Sequence, residues 1–354
     1  MKSLVFTEYK APLSYQDSIE PIAKEGQKVI KMQAAAFNRR DFWITLGLYP
    51  GIVPNCILGS DGVGEVDGKQ YIINPNVEWG DGDLPNKNYS ILGMPVNGTF
   101  AEYIAVDADR LVEKPAHLTT EQAAALPLGG LTAYHAVFGK CQLKAGEKIL
   151  ITGVGGGVSQ MATQLAIAAG AEVYVSSSSE AKILKAMEWG AKGGVNYTKE
   201  DWAKRLGKDT GGFDVIIDSA GGEGFKDLVR IAKTGGRIGI YGGTRGAIPQ
   251  INPAHIFLKH LTIYGCTMGS DKEFLKMVEF VSQHKIIPLV DEVYDIVNDR
   301  NKAIRVIATA KSAVRHNLGD KLHLISSPTL LVWGREDSVT PPFVAEKFNE
   351  HIEN

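Results

Sequence analysis

Four glycines stand within five positions of this 354-residue chain, at Gly153, Gly155, Gly156 and Gly157, directly after the apolar run Ile149-Leu150-Ile151. A helix-like pattern follows at once. A buried strand, a tight turn and a helix start leave the helix's first N–H donors facing the turn, and the helix dipole points the same way. That is an anion site. Glycine lets backbone approach a pyrophosphate closely. A second β-rich run, Glu172-Val-Tyr-Val-Ser-Ser177, completes a strand–helix–strand unit. The pattern therefore predicts a dinucleotide site, set against a glycine turn that is only structural.

In such a site an acidic residue about 20 positions after the glycines holds the ribose 2′-hydroxyl. Here that region reads Ser176-Ser177-Ser178-Ser179, with no acid at the strand end, and Glu180 comes later at a helix start. A carboxylate there would repel a 2′-phosphate, whereas serine hydroxyls donate to one. Ser177 and Ser178, with Lys182 for charge and Tyr197 as a further donor, favour NADP (as NADPH) over NAD. The competing reading makes the serines helix caps and Lys182 a solvated lysine. Ser159 stands where a third glycine is expected, which leaves the turn's geometry open.

The elements that must carry these residues alternate. Strands are expected at Ile149–Ile151, Glu172–Ser176, Gly194–Tyr197, Asp214–Asp218, Arg237–Tyr241 and Leu261–Gly265, with helix-length segments between them. Six apolar strands so spaced make a doubly wound parallel sheet. Residues 1 to about 116 are instead rich in short β runs and polar turns, a compact β-rich lobe. At the border, Thr119 and Gln122 have the spacing of a capping box.

Composition bounds the rest. The chain is 44% hydrophobic and 22% charged with a formal net charge of −2, which offers no basic surface for nucleic acid. No apolar run reaches the roughly 18 residues of a membrane helix. The start, Met1-Lys-Ser-Leu-Val-Phe, reads as a strand rather than a signal peptide. Three scattered cysteines suit a reducing compartment. The expectation is a cytoplasmic protein.

The motifs Asn38-Arg-Arg-Asp41, Gly47-Leu-Tyr-Pro, Gly59-Ser-Asp-Gly-Val-Gly-Glu-Val, Gly98-Thr-Phe-Ala-Glu-Tyr and Ala123-Ala-Ala-Leu-Pro-Leu-Gly-Gly-Leu-Thr-Ala-Tyr134, with the glycine turn and Trp189-Gly-Ala, resemble the medium-chain dehydrogenase/reductase superfamily. Within it they are most similar to the zinc-independent, quinone-oxidoreductase-like branch, over residues 1 to about 304. The resemblance implies an α/β protein: a GroES-like catalytic lobe (1–116 and 285–306), a six-stranded Rossmann domain (117–284) and a tail (307–354). Zinc-dependent relatives ligate with cysteine, histidine and cysteine; the matching positions here hold Asn38, Ser60 and Leu128. The relatives' structural-zinc loop would fall near 75–95, a segment with no cysteine. Glu78, Asp81 and Asp83 there read as a solvated loop. No metal is expected.

Without one, the branch's chemistry is hydride transfer to a quinone or an α,β-unsaturated carbonyl, whose oxygen then needs a donor. The resemblance puts Asn38 and Tyr49 beside the substrate, as donors or as loop and wall residues, and leaves a bound water as another proton source. It puts Thr132 and Val158 against the nicotinamide, adds Gly242 to the cofactor set, and implies a homodimer formed around Leu261–Gly265. Asp41 and Asp61 read as braces, Arg39 and Arg40 as structural or surface, and His135 as packed. Two other functions stay open: a zinc-free alcohol or carbonyl reductase, and a non-catalytic NADPH-binding protein.

The last segment departs from the family. Leu324-Ile-Ser-Ser-Pro-Thr-Leu-Leu-Val-Trp-Gly-Arg-Glu-Asp337 resembles an α/β-hydrolase fragment. Its acid, Asp337, does nothing without a nucleophile and a histidine. No Gly-x-Ser-x-Gly elbow occurs, so the tail is expected to be non-catalytic, joined near residues 303–310.

Overall fold

A computed structural model describes residues 1–290. The tail, its apolar strand Thr329–Trp333, Asp337 and the part of the catalytic lobe expected at 291–306 lie outside the described residues.

The first lobe is built on an antiparallel sheet of β1 (Gln27–Ala36), β2 (Asp61–Val66), β3 (Lys69–Ile73), β4 (Tyr103–Asp107) and β5 (Leu111–Glu113), in the order β4-β1-β2-β3-β5. Ile30, Val63, Ile72, Ile73 and Ile104 turn inward as buried side chains. The N-terminal strand Lys2–Phe6 pairs with Ser14–Asp17 and Cys56–Ile57 beside it, as the opening residues suggested. The one helix of this lobe that faces the site is α1 (Arg39–Thr45).

The crossing between lobes begins with α2 (Thr120–Ala124). Thr119 Oγ1 accepts from Gln122 N at 3.2 Å while Gln122 Oε1 accepts from Thr119 N at 3.0 Å, the expected capping box. A second helix, α3 (Pro127–Tyr134), follows with proline at its start, where no N–H is missed.

The second lobe holds β6 (Lys148–Ile151), β7 (Glu172–Ser177), β8 (Gly193–Asn196), β9 (Phe213–Asp218), β10 (Ala232–Ile240) and β11 (Thr262–Gly265). All are parallel, in the order β8-β7-β6-β9-β10-β11. These are the six anticipated strands; only β10 starts well before its expected bound, because its N-terminal half reaches past the apolar run that marks it. Ile149, Leu150, Ile151, Val215, Ile216 and Ile217 are all buried, since helices cover both faces. The connecting helices are α4 (Gly157–Ala168), α5 (Glu180–Glu188), α6 (Trp202–Thr210) and α7 (Phe225–Ile231). Met161 and Leu165 of α4 and Ile183 of α5 pack with Ile149 and Ile151, whereas Leu206 of α6 and Leu228 of α7 pack with Leu150 and Ile216 on the other face. The strand order reverses between β6 and β9, so a crevice opens outside their C-terminal ends. A last helix, α8 (Asp271–His284), is capped by Ser270 and packs Phe274, Met277 and Val281 into the same core.

The segment expected as a solvated loop is more ordered than that. Glu78, Asp81 and Asp83 are exposed, but Trp79 and Asn76 are fully buried. Asn76 Nδ2 donates to Gly269 O at 2.8 Å and to Asp271 Oδ1 at 3.0 Å, and Asn74 Nδ2 to the same oxygen at 2.7 Å. Amides, in place of metal ligands, pin this loop to the second lobe. His135 is packed there too, with Nδ1 2.9 Å from Glu273 Oε2.

Candidate functional site

The crevice is organised around the end of β6. Thr152 Oγ1 donates to Asp218 Oδ1 at 2.8 Å and accepts from Ser219 N at 3.0 Å, which locks the ends of β6 and β9 together. Gly153 then turns with φ +65°, a left-handed conformation glycine adopts at little cost. Ser159, the departure from the glycine pattern, is fully buried. Its Oγ lies 2.6 Å from Gly153 O, 2.8 Å from Gly156 O and 3.2 Å from Gly156 N, so the hydroxyl stitches the turn to the first turn of α4. The geometry left open by the missing glycine is fixed by a hydroxyl.

Gly155, Gly156, Gly157 and Val158 thus present the start of a twelve-residue helix to the crevice. Lys182 extends from α5 so that its ammonium lies over Gly155. On the far wall, a Cβ at Gly242 would come within 2.7 Å of Ser219 O, so the loop after β10 lies tight against the loop after β9. Thr132 of α3 is buried, with Oγ1 3.9 Å from Met268 Sδ, and Gly129 of the same helix lies against Gly157 and Val158.

Ser177 ends β7 and its Oγ accepts from Ser179 N at 3.2 Å, while Ser179 occupies the cap position of α5 without a side-chain cap bond. Ser178 is exposed beside it. Tyr197, after β8, hangs from Ser177 O by its backbone N–H at 3.2 Å. Sequence reading missed Arg245. Its guanidinium stacks 5.3 Å over the Tyr197 ring and, among the described residues, makes no hydrogen bond or ion pair. Arg245 follows β10 and Tyr197 follows β8, four strands or about 19 Å apart at ~4.8 Å per strand. The pair therefore links the loops after β8 and β10, with Tyr197 held to Ser177 by its backbone. Only folding brings them together; no local pattern marks the contact.

The opposite wall comes from the first lobe. Asn38 caps α1 and donates from Nδ2 to Asp61 Oδ2 at 2.9 Å, while its backbone N–H is held by Asp41 Oδ2 at 2.8 Å. The other Asp61 oxygen accepts from Leu128 N at 2.8 Å, at the start of α3. Both aspartates are braces, as expected, and both are buried. Burial pushes Asp61 up to about 7 against the opposing pull of those two donors, and Asp41 up to about 6 against that of Asn38.

Arg40 is more embedded than a surface reading allows, at 8% exposure. Its Nη1 donates to Ser60 Oγ at 2.6 Å and to Leu92 O at 2.9 Å, its Nη2 to Met94 O at 3.2 Å and its Nε to Tyr49 Oη at 3.3 Å. The guanidinium also lies 4.8 Å over the Tyr49 ring. Arg39 is exposed; burial pushes the phenol of Tyr241, after β10, up to about 12, against the opposing pull of hydrogen bonds with Ser219 and Ser159 and the weaker pull of the Arg39 charge. The structure thus brings these residues together in two sets, Asn38 with Leu128 through Asp61 and Tyr49 with Ser60 through Arg40, while Thr132 contacts Met268 instead. Among the described residues, no group of three or more His, Cys, Asp or Glu side chains is assembled to hold a metal.

Comparison with known proteins agrees with this architecture. Residues 24–116 match the alcohol dehydrogenase GroES-like domain and residues 157–283 the zinc-binding dehydrogenase family. A zinc-type alcohol dehydrogenase-like protein of Leptosphaeria maculans is 35% identical over 307 residues, 79% of this chain and 86% of that protein. The chain belongs to the medium-chain dehydrogenase/reductase superfamily. A solved NAD-dependent alcohol dehydrogenase superposes with a TM-score of 0.78 at 33% identity, covering 82% of this chain and 91% of that one. A quinone oxidoreductase of Thermus thermophilus, solved also with NADPH, superposes with a TM-score of 0.70 at 27% identity, covering 82% and 90%.

Membership makes this chain a pyridine-nucleotide oxidoreductase. The residues fit that cofactor: a glycine turn at a helix N-terminus for the pyrophosphate and a far wall at Gly242 that a Cβ would fill. Among the described residues, no helix is long and apolar enough to cross a membrane.

Proposed function

We propose that this protein reduces a quinone or an α,β-unsaturated carbonyl with NADPH and without zinc. The observation that carries the reading is Arg40. The position of a relative's metal-ligating histidine is Ser60, and Ser60 is bonded to a guanidinium that is anchored on two carbonyls. A divalent metal ion beside it would be repelled. Asn38, at a cysteine ligand's position, has its amide turned to Asp61, and Leu128 offers only a hydrocarbon side chain. This donor set suits hydrogen bonding to a carbonyl, not coordination.

A bound reduced nicotinamide supplies the hydride. The chain's own residues then deal with charge. As the substrate carbon takes up hydride, the carbonyl oxygen becomes anionic. Tyr49 donates its phenolic proton to that oxygen, and the second N–H of Asn38 Nδ2, the one not given to Asp61, steadies it. Thr132 and Val158 would hold the nicotinamide. Gly153, Gly155, Gly156, Gly157 and Gly242 hold the phosphates and the far wall.

The preference for NADPH rests on Ser177, Ser178, Lys182, Tyr197 and Arg245: hydroxyls and cations with no carboxylate at the end of β7. NADPH oxidation with a panel of quinones and enals tests the reading. Turnover with the panel and none with simple aldehydes is the predicted pattern. Turnover only with simple aldehydes would favour the second reading, a zinc-free carbonyl reductase, to which the likeness to an alcohol dehydrogenase gives weight. We further propose a cytoplasmic homodimer joined along β11.

A further inference from the structure

We infer that Arg40 is a positioning residue for proton donation, acting through Tyr49. The inference rests on the reading above, that Tyr49 is the donor to the substrate oxygen.

The argument begins with how the guanidinium is held. Arg40 has five N–H donors in a rigid fork. Three of them go to Ser60 Oγ, Leu92 O and Met94 O, which fixes the fork in the wall of the lobe. Ser60 Oγ itself donates to Leu92 O at 2.9 Å, so the anchor is closed on itself. A fourth, Nε, faces Tyr49 Oη at 3.3 Å, and the guanidinium lies 4.8 Å over the same ring. The stack fixes the ring, and the Nε contact fixes the role of its oxygen. Because Tyr49 Oη accepts from Arg40, its own O–H must point elsewhere, and among the described residues it meets no acceptor. The phenol is presented as a donor to whatever lies next to it.

The fixed charge also matters during the step. When the Tyr49 O–H bond breaks and the proton bonds to the substrate oxygen, negative charge moves onto Tyr49 Oη. It arrives beside a cation already in place and already desolvated, so little reorganisation is needed. Water then returns a proton to the phenolate, which completes the balance. A metal-dependent relative puts its cation on the substrate oxygen; here the cation stands one residue behind it.

A double-mutant comparison tests this, with kcat on an enone as the readout and thermal melting and NADPH affinity as folding controls. Tyr49→Phe lowers kcat about 100-fold, within the usual range for a lost acid. Arg40→Gln lowers it about tenfold and raises the solvent deuterium isotope effect, because proton transfer becomes slow, while KM for NADPH stays put. In the Tyr49→Phe background, Arg40→Gln costs less than about twofold, since its route of action is already gone. An equal cost in both backgrounds would overturn the inference and leave the Tyr49 reading standing. An unchanged kcat for Tyr49→Phe would overturn both. Should Arg40→Gln not fold, Arg40→Lys makes the same comparison: it keeps the charge without the fork, and the same two-background rule decides.

Discussion

Ser159 shows how a single hydroxyl can replace a backbone constraint. Glycine at this place would allow close packing; serine instead bonds the carbonyls of Gly153 and Gly156 from a fully buried position. Ser159→Gly should therefore destabilise the protein, although it restores the expected pattern, by about 1 kcal/mol for the lost bond. Differential scanning calorimetry should show a fall in Tm of about 1–2 °C for a chain of this size. The same scale governs cofactor choice. Arg245→Gln removes an exposed cation that stacks on Tyr197, so it should raise KM for NADPH about tenfold, a loss of ~1.4 kcal/mol. KM for NADH should change less than about twofold. Equal losses for both nucleotides would make Arg245 an adenine contact instead. The serine run and Lys182 were legible in sequence because they follow a strand at a fixed interval. Arg245 was not, because its place depends on a loop folding back over four strands.

Among the elements, α1 and α3 meet at one carboxylate. Asp61 lies in β2, takes Asn38 from the cap of α1 and takes the N–H of Leu128 at the start of α3. Burial holds its pKa at about 7, above the ordinary value near 3.9. A carboxyl raised on folding stabilises the protein while it stays protonated. That contribution is fully present below about pH 4 and is lost as pH rises through about 7. Asp61→Asn has no such titration. Wild-type stability in urea should therefore fall relative to Asp61→Asn between about pH 4 and 7, and a flat difference would contradict the assignment. The strands were legible because buried parallel strands are written as unbroken apolar runs such as Ile149–Ile151 and Val215–Ile217. The bond from Leu128 to Asp61 was not, since it joins positions 67 residues apart. The same limit hid the Asn74 and Asn76 pins in what read as a solvated loop.

At the scale of the whole molecule, two features decide what the chain does in solution. The first is the open edge of the six-stranded sheet. Among the described residues, strand β11 has no partner on its outer side, and Phe257, Leu258 and Ile263 are exposed near it. An apolar edge of this kind favours pairing with another strand, and the proposed homodimer would close it with a two-fold partner. Ile263→Lys should convert a homodimer into a monomer in sedimentation, with little change in fold. The second feature is the wall across the crevice, where an amide, a hydroxyl and a hydrocarbon side chain (Asn38, Ser60 and Leu128) stand at the positions matched to the ligands of zinc-dependent relatives. The central claim of the proposed function is that hydride transfer needs no metal. The most direct measurement is the rate of NADPH oxidation with an active quinone, before and after exhaustive treatment with a strong zinc chelator, with bound metal counted in parallel. The rate should be unchanged, with less than about 0.1 zinc per chain against the one that a catalytic site requires. A rate abolished by the chelator and restored by added zinc would contradict the account.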